Sequence, residues 1–250
     1  MNVRDTLKAR PPDARPMDPP RVSIVFPTMN EEASIGQVLD EVAAAMRGHG
    51  AYEVVVVDTD SRDRTVAIAR GKGARIVLEP RRGYGRAYKT GFAAARGSIV
   101  VTLDADLTYP AHMIPEFVRL VEQEGADFVS GNRIAGLEEG AMSGMHRLGN
   151  RMLTTAFRVL YRFPILDSQS GMWAFRREVL DRLELIHDGM AFSEELKLEV
   201  IRRGLRFQEV PIPYRPRSGE KKIRSVRDAT ENMIWLFRKR FGWARPARDA

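Results

Sequence analysis

The stretch YEVVVVDTDSRDRTVAIAR (residues 52–70) decides the fold. Four consecutive valines leave no polar face, so the segment reads as a strand covered on both sides, the habit of strands in parallel sheets. The polar turn from Asp58 to Asp63 ends it, and a helix follows and stops at Gly71 and Gly73. The same plan comes before it in RVSIVFPTMNEE (21–32), with a strand over Val22–Phe26, a Pro-Thr turn and a helix through roughly Val42. It returns after it as the short strand ARIVLE (74–79), the basic loop PRRGYGRA (80–87), a helix through Arg96 and the strand SIVVTL (98–103), which delivers Asp104. Strands alternating with helices predict one α/β domain with a mostly parallel sheet flanked by helices. The polar turns all lie at strand carboxyl ends, where open sheets of this kind bind ligands.

Composition agrees with a single packed domain. The 250 residues are 44% hydrophobic and 29% charged, which argues against wholesale disorder, and the absence of cysteine excludes disulfides and thiolate zinc sites. Residues 1–20 carry five prolines and no apolar core, so they read as a disordered tail rather than a signal peptide. No run reaches the roughly 18 apolar residues of a membrane span. A formal charge of +7 favours an anionic partner: nucleic acid, a membrane surface or a phosphorylated substrate.

The second half is less regular. Residues 113–124 and 145–162 read as helices, DFVSGNR (127–133) as a strand with a polar end, MWAFRREVLDRL (172–183) as strand then helix, and SEELKLEVIRRG (193–204) as a helix. RFQEVPIPYRPR (206–217) is an extended segment that its prolines place at a sheet edge. A soft boundary falls near residue 106, between a nucleotide-binding half and an acceptor half of one domain spanning 21–225, followed by a basic amphipathic helix over 226–250.

Asp104 and Asp106 in VTLDADLTYP (101–110) repel each other unless a positive charge joins them; alternatively Asp106 only caps the turn before Pro110. FPTMNEE, VVVDTDSRDRT and LDADLTYP, each after a strand, together resemble the inverting GT-A glycosyltransferases of family two. GADFVSGNR, DSQSGMWAFRREVL, FSEELKLE and EVPIPYRPRSGEKKI are similar to the polyprenyl-phosphate branch, which includes dolichyl-phosphate mannose and glucose synthases. The resemblance covers about residues 21–225.

It implies a Rossmann-like GT-A catalytic domain that moves a hexose-type sugar from a UDP- or GDP-sugar to dolichyl or another polyprenyl phosphate. Asp104 and Asp106 form its DxD motif and hold Mg²⁺ or Mn²⁺, hard cations that take carboxylate oxygens. It also implies nucleotide-sugar contacts from Pro27, Thr28, Glu31, Asp58, Asp60, Gly83, Gly85, Arg86 and Asp104. Met29 and Thr59-Asp60 depart from the family pattern and leave the base open. Glu31, Glu32 and Asp63 also suit helix-terminus stabilisation, and the basic loop holding Arg81, Arg82 and Arg86 also suits a solvated turn.

A lipid phosphate is already ionised and needs cations rather than a base. The resemblance assigns Arg133, Arg147 or Arg151, Gln169, Ser170, Arg217 and Lys222 to the acceptor or diphosphate. Glu195 is the candidate base if one is needed, the alternative being that Glu194 and Glu195 simply open a helix. The terminal ENMIWLFRKRFGW (231–243) spaces Ile234, Phe237 and Phe241 for a helix lying in a bilayer interface, or packed on the domain or on a second copy as a homodimer. The expected place is cytoplasmic, peripheral on the membrane face. A family-two enzyme acting on a glycan hydroxyl or a small phosphorylated acceptor is the rival. A nucleic-acid module lacks the aromatic strand or zinc spacing such modules use.

Overall fold

The computed structural model describes residues 19–218 and 225–242. The strands are β1 (Val22–Thr28), β2 (Tyr52–Asp58), β3 (Arg75–Leu78), β4 (Ile99–Thr102), β5 (Phe128–Leu137), β6 (Trp173–Arg176) and β7 (Phe207–Tyr214). The helices are α1 (Ile35–Ala45), α2 (Thr65–Gly71), α3 (Tyr84–Ala94), α4 (Ile114–Glu122), α5 (Gly144–Tyr161), α6 (Phe192–Arg202) and α7 (Ser225–Arg240).

The strands form one seven-stranded sheet in the order β3-β2-β1-β4-β6-β5-β7. β1 pairs in parallel with both β2 and β4, and β6 runs antiparallel to its two neighbours. The valine-rich strands are apolar throughout because successive side chains point to opposite faces and both faces are covered. Val22, Ile24, Phe26, Val56 and Val101 join one core with α1 and α4, while Val25, Val55, Val57 and Val100 join another with α3 and α6. Helix α3 lies so close to the sheet that a Cβ at Gly91 would come within 2.4 Å of Val25 Cγ1.

The helix expected after β6 is a short 3-10 helix over Arg177–Arg182. Of the placements open to the terminal helix, α7 packs on the domain: Trp235 and Leu236 join Leu153 and Phe157 of α5 in a third core, and the Tyr161 hydroxyl donates to the Leu236 carbonyl at 2.8 Å. Its other side remains open, with Ile234, Phe237 and Phe241 exposed. Strand β7 does occupy a sheet edge, and its pairing with β5 is interrupted by a bulge between Asn132 and Gly136. Among the described residues no helix is long and apolar enough to cross a membrane.

Candidate active site

The first two strand ends are knitted together by their own turns. Asp58, almost fully buried, accepts from Ser61 N at 3.0 Å, Ser61 Oγ at 2.5 Å and Thr28 Oγ1 at 3.3 Å. Asn30 and Asp60 take left-handed backbone angles, φ 53° and 52°, which short polar side chains tolerate. Asn30 N donates to Ser61 Oγ, and Asn30 Oδ1 accepts from Arg62 N, both at 2.8 Å. Glu32 accepts from Arg64 N, and Asp63 from Thr65 N and Oγ1, so these two acids stabilise the start of α2.

Above these ends opens a cavity of about 1000 Å³, lined at its polar end by Pro27, Thr28, Glu31, Asp104, Asp106 and Arg217. Asp104 and Asp106 follow β4 into it. Burial, reinforced by the neighbouring Asp106 charge, pushes the Asp104 carboxyl up to about 7. Asp106 Oδ1 accepts from Thr108 N at 3.1 Å and Thr108 Oγ1 at 2.6 Å, leaving Oδ2 to Arg217 Nη2 at 3.1 Å. Both acids offer hard oxygen donors, and their mutual repulsion in a buried place is what a divalent cation relieves. Among the described residues no cluster of three or more metal-ligating side chains exists. A cation here would therefore complete its shell with substrate phosphates and water, the usual habit of Mg²⁺.

Buried phenols surround Asp104. The Tyr88 hydroxyl donates to Asp104 Oδ1 at 3.4 Å, and Tyr109 Oη accepts from Gly171 N at 2.6 Å. A Cβ on Gly171 would lie 2.4 Å from Tyr84 Oη. Burial raises the pKa of Tyr84, Tyr88 and Tyr109 well above the ordinary phenol value, so they remain neutral donors.

The loop Asp167–Ser170 forms another wall and is clamped from several elements. Arg133, in the bulge of β5, makes a bidentate pair with Asp167 at 2.7 and 2.8 Å, both side chains buried. Burial opposes the Asp167 charge, but Arg133 and Lys197 outweigh it and hold the carboxyl below its ordinary value. Lys197 Nζ donates to the carbonyls of Asp167, Ser168 and Ser170 at 2.9–3.0 Å. Glu209 of β7 accepts from Leu166 N and Asp167 N. Gln169, which lines the cavity, donates to Glu194 Oε1 and accepts from Asn232 of α7 at 3.0 Å.

The same cavity is lined from α5 by the apolar Met145, Leu148, Met152 and Leu153 beside His146 and Asn150, and from α7 by Met233 and Ile234 beside Asp228, Thr230, Glu231 and Asn232. Residues 23–184 match the family described as glycosyl transferase family 2. The chain belongs to that family. It is 38% identical over 220 residues to the low-salt glycan biosynthesis hexosyltransferase Agl6 of Haloferax volcanii, covering 87% of this chain and 53% of that protein. The chain thus spans about half of that relative's length. The dolichyl-phosphate hexose transferase of the same organism is 39% identical over 202 residues, 81% of this chain and 86% of the relative. Among solved structures, glucosyl-3-phosphoglycerate synthase from Mycobacterium tuberculosis, crystallised with Mn²⁺, UDP and glucosyl-3-phosphoglycerate, aligns with a TM-score of 0.72 at 27% identity, over 90% of this chain and 81% of that one. The same synthase with Mg²⁺ and UDP gives 0.72 at 25% identity.

Within this family-2 glycosyltransferase the sequence-predicted site residues divide. Pro27, Thr28, Glu31, Gly83, Asp104, Asp106, Arg133, Gln169 and Arg217 line one cavity. Asp58, Asp60, Gly85, Arg86, Arg147, Arg151, Ser170 and Glu195 do not. Both glycines at 83 and 85 are closely approached by chain: a Cβ at either would fall 2.5 Å from the carbonyl oxygen of Asp188 or His187, although Gly83 also borders the cavity. Arg86 pairs with Asp188, and Arg81 with Glu79, whose carboxyl it holds at about 2. Arg147 and Arg151 lie on the exposed side of α5. The Ser170 carbonyl accepts from Trp173 Nε1 and Lys197, inside the wall. Lys222 lies outside the described residues.

Glu195 requires a correction. Its carboxylate accepts from Ile186 N at 3.2 Å and His187 N at 2.8 Å, facing the 186–187 backbone instead of the cavity. Burial raises its pKa, against the opposing pull of those N–H groups. Sequence reasoning missed the tyrosines around Asp104, the buried Lys197 and the methionine-bearing wall. The one signal available was spacing: Met145, Leu148 and Met152 recur at i, i+3 and i+7 on a helix read as basic.

Proposed function

We propose that this chain transfers a hexose, with inversion, from a UDP- or GDP-sugar to a polyprenyl phosphate of the dolichyl type, with Mg²⁺ or Mn²⁺ held by Asp104 and Asp106. One observation carries this reading. A single cavity is lined both by the paired carboxylates with Arg217 and by the apolar side chains of Met145, Leu148, Met152 and Ile234. A phosphorylated lipid offers a charged head to the first group and a hydrocarbon chain to the second. The curated relative named as a dolichyl-phosphate hexose transferase, matched over most of both chains, supports the acceptor, and the metal- and UDP-bound synthase supports the donor and cation.

When bound, the cation would neutralise the charge that develops on the departing nucleoside diphosphate. Asp104, steadied by Tyr88, and Asp106, steadied by Thr108, present the oxygens that would hold it. Arg217 supplies the phosphate-binding fork, and Arg133 fixes the Asp167–Ser170 loop that shapes the acceptor side. An ionised phosphate nucleophile needs no proton removed, which accords with Glu195 facing the 186–187 backbone. The exposed Met145, Leu148 and Met152 of α5, Ile234 and Phe237 of α7 and Phe241 just beyond it, with Arg147, Arg151, Arg238 and Arg240 close in sequence, suit peripheral contact with an anionic bilayer.

A small phosphorylated acceptor is the second reading, favoured by the synthase crystallised with glucosyl-3-phosphoglycerate. Incubation with radiolabelled UDP- and GDP-hexoses, Mn²⁺ and either polyprenyl phosphate or 3-phosphoglycerate separates the two. The expected result is label extracted into organic solvent only with the lipid and only with metal. Label confined to the aqueous phosphoglycerate product would replace this reading with the second.

A further inference from the structure

Arg217 rests in an acidic cradle that the cation is expected to enter. Its Nη2 lies 3.1 Å from Asp106 Oδ2 and 3.8 Å from Glu31 Oε1, while its buried Nε has no hydrogen-bond partner. The chain on either side is fastened to the turn that carries Asp106. Arg215 N donates to the Thr108 carbonyl at 3.1 Å, and Ser218 N donates to the Asp106 carbonyl at 3.0 Å. The backbone is thus held at the site, while the guanidinium keeps an unused donor.

Asp106 has little left to give. Thr108 takes Oδ1 with two donors, so Oδ2 is the oxygen available to a cation, and Arg217 holds it. Two positive charges cannot share that oxygen without the repulsion that like charges incur at contact distance. We propose that Arg217 is the resting counter-charge of Asp106, and that the divalent cation displaces it from Oδ2. The displaced guanidinium then has a bidentate fork free for a phosphate of the substrates. Phosphate binding at this fork therefore follows cation binding. This rests on the reading of Asp104 and Asp106 as the cation site and adds the order in which charges occupy it.

The test uses the full chain and Arg217→Gln, with Mn²⁺ alone followed by electron paramagnetic resonance of the free ion. Without nucleotide the variant is expected to bind Mn²⁺ roughly tenfold more tightly than the wild type, the size of one charge-assisted hydrogen bond removed from competition. Metal-free, it is expected to melt roughly 2–4 °C lower, because Asp106 and Glu31 lose a counter-charge. Mn²⁺ should reverse that deficit, and an Asp106→Asn background should shrink it. Equal or weaker Mn²⁺ binding by the variant, or a deficit indifferent to Mn²⁺ and to Asp106→Asn, overturns the exchange. Farnesyl phosphate, followed by calorimetry, should bind the wild type more tightly once Mg²⁺ and UDP are present, and Arg217→Gln should lose that increment. An increment kept by the variant, or none in the wild type, overturns the hand-over. Failure of the cation-site reading looks different: the wild type would then retain no Mn²⁺ even with UDP.

Discussion

Two pairs of acids sit at comparable places in this chain, and the fold uses them in opposite ways. Asp104 and Asp106 end a buried strand and face the cavity, one beneath a phenol and the other opposed by Arg217. Glu194 and Glu195 open a buried helix and turn inward. Glu195 accepts two backbone N–H groups, and Glu194 takes Gln169 and Ser168 on one oxygen while Lys197 lies beside it. Asp106 keeps Oδ2 toward a charged partner at the cavity, whereas the Glu195 carboxylate is committed to two backbone N–H groups.

The largest effect that could break this comparison is on catalysis. Asp104→Ala or Asp106→Ala is expected to lower sugar transfer on the order of 10³-fold with the melting transition retained. Full activity in either would mean the cavity pair is as structural as the helix pair. Next comes the scaffold around the second pair. Lys197→Met leaves three loop carbonyls short of a donor and removes a positive charge near the Asp167 carboxylate, and its expected cost is roughly 3–5 kcal/mol, read from chemical denaturation. Glu195→Gln should be milder, losing about 1–3 kcal/mol of stability with turnover changed by less than about fivefold. A general base would instead lose roughly 10²–10⁴-fold in turnover with stability untouched.

A pH effect is diagnostic of Glu194. Burial pushes its carboxyl up to about 8 from 4.5, so the folded protein binds a proton that the unfolded chain releases between those values. Its contribution to stability is complete below pH 4.5 and is lost as pH rises through about 8. Melting curves across that window should show the wild type losing stability relative to Glu194→Gln as pH rises. Parallel curves would mean that Glu194 is already ionised inside the protein.

The strand–helix rhythm, the edge placement of β7 and the convergence of the turns after β1 and β4 were legible because each follows from local pattern: apolar runs, prolines and polar strand ends. The direction of Glu195 was not legible, since an acid in a first helical turn looks the same whether it faces a ligand or a neighbouring loop. Gly85 misled for a related reason. A glycine beside arginines suggests room for phosphate, yet the room is filled by the His187 carbonyl, 102 residues away along the chain. Asp58 ends the valine strand as expected, but the hydroxyl that saturates it, Ser61, competes for the same oxygens a base would need. Long-range packing decides such cases, and sequence pattern carries little of it.

Strand β6 has a consequence for recombination between relatives. It arrives from the Asp167–Ser170 loop and inserts directly against β4, with Thr102 Oγ1 donating to the Gly171 carbonyl and accepting from Trp173 N, so the two halves share one hydrogen-bonded seam. A chimera joined near residue 106 would place β4 and β6 in different parents. To keep the seam matched, an exchange of acceptor specificity must carry the Tyr84, Tyr109 and Gly171 contacts as one transplant, even though they are scattered along the chain.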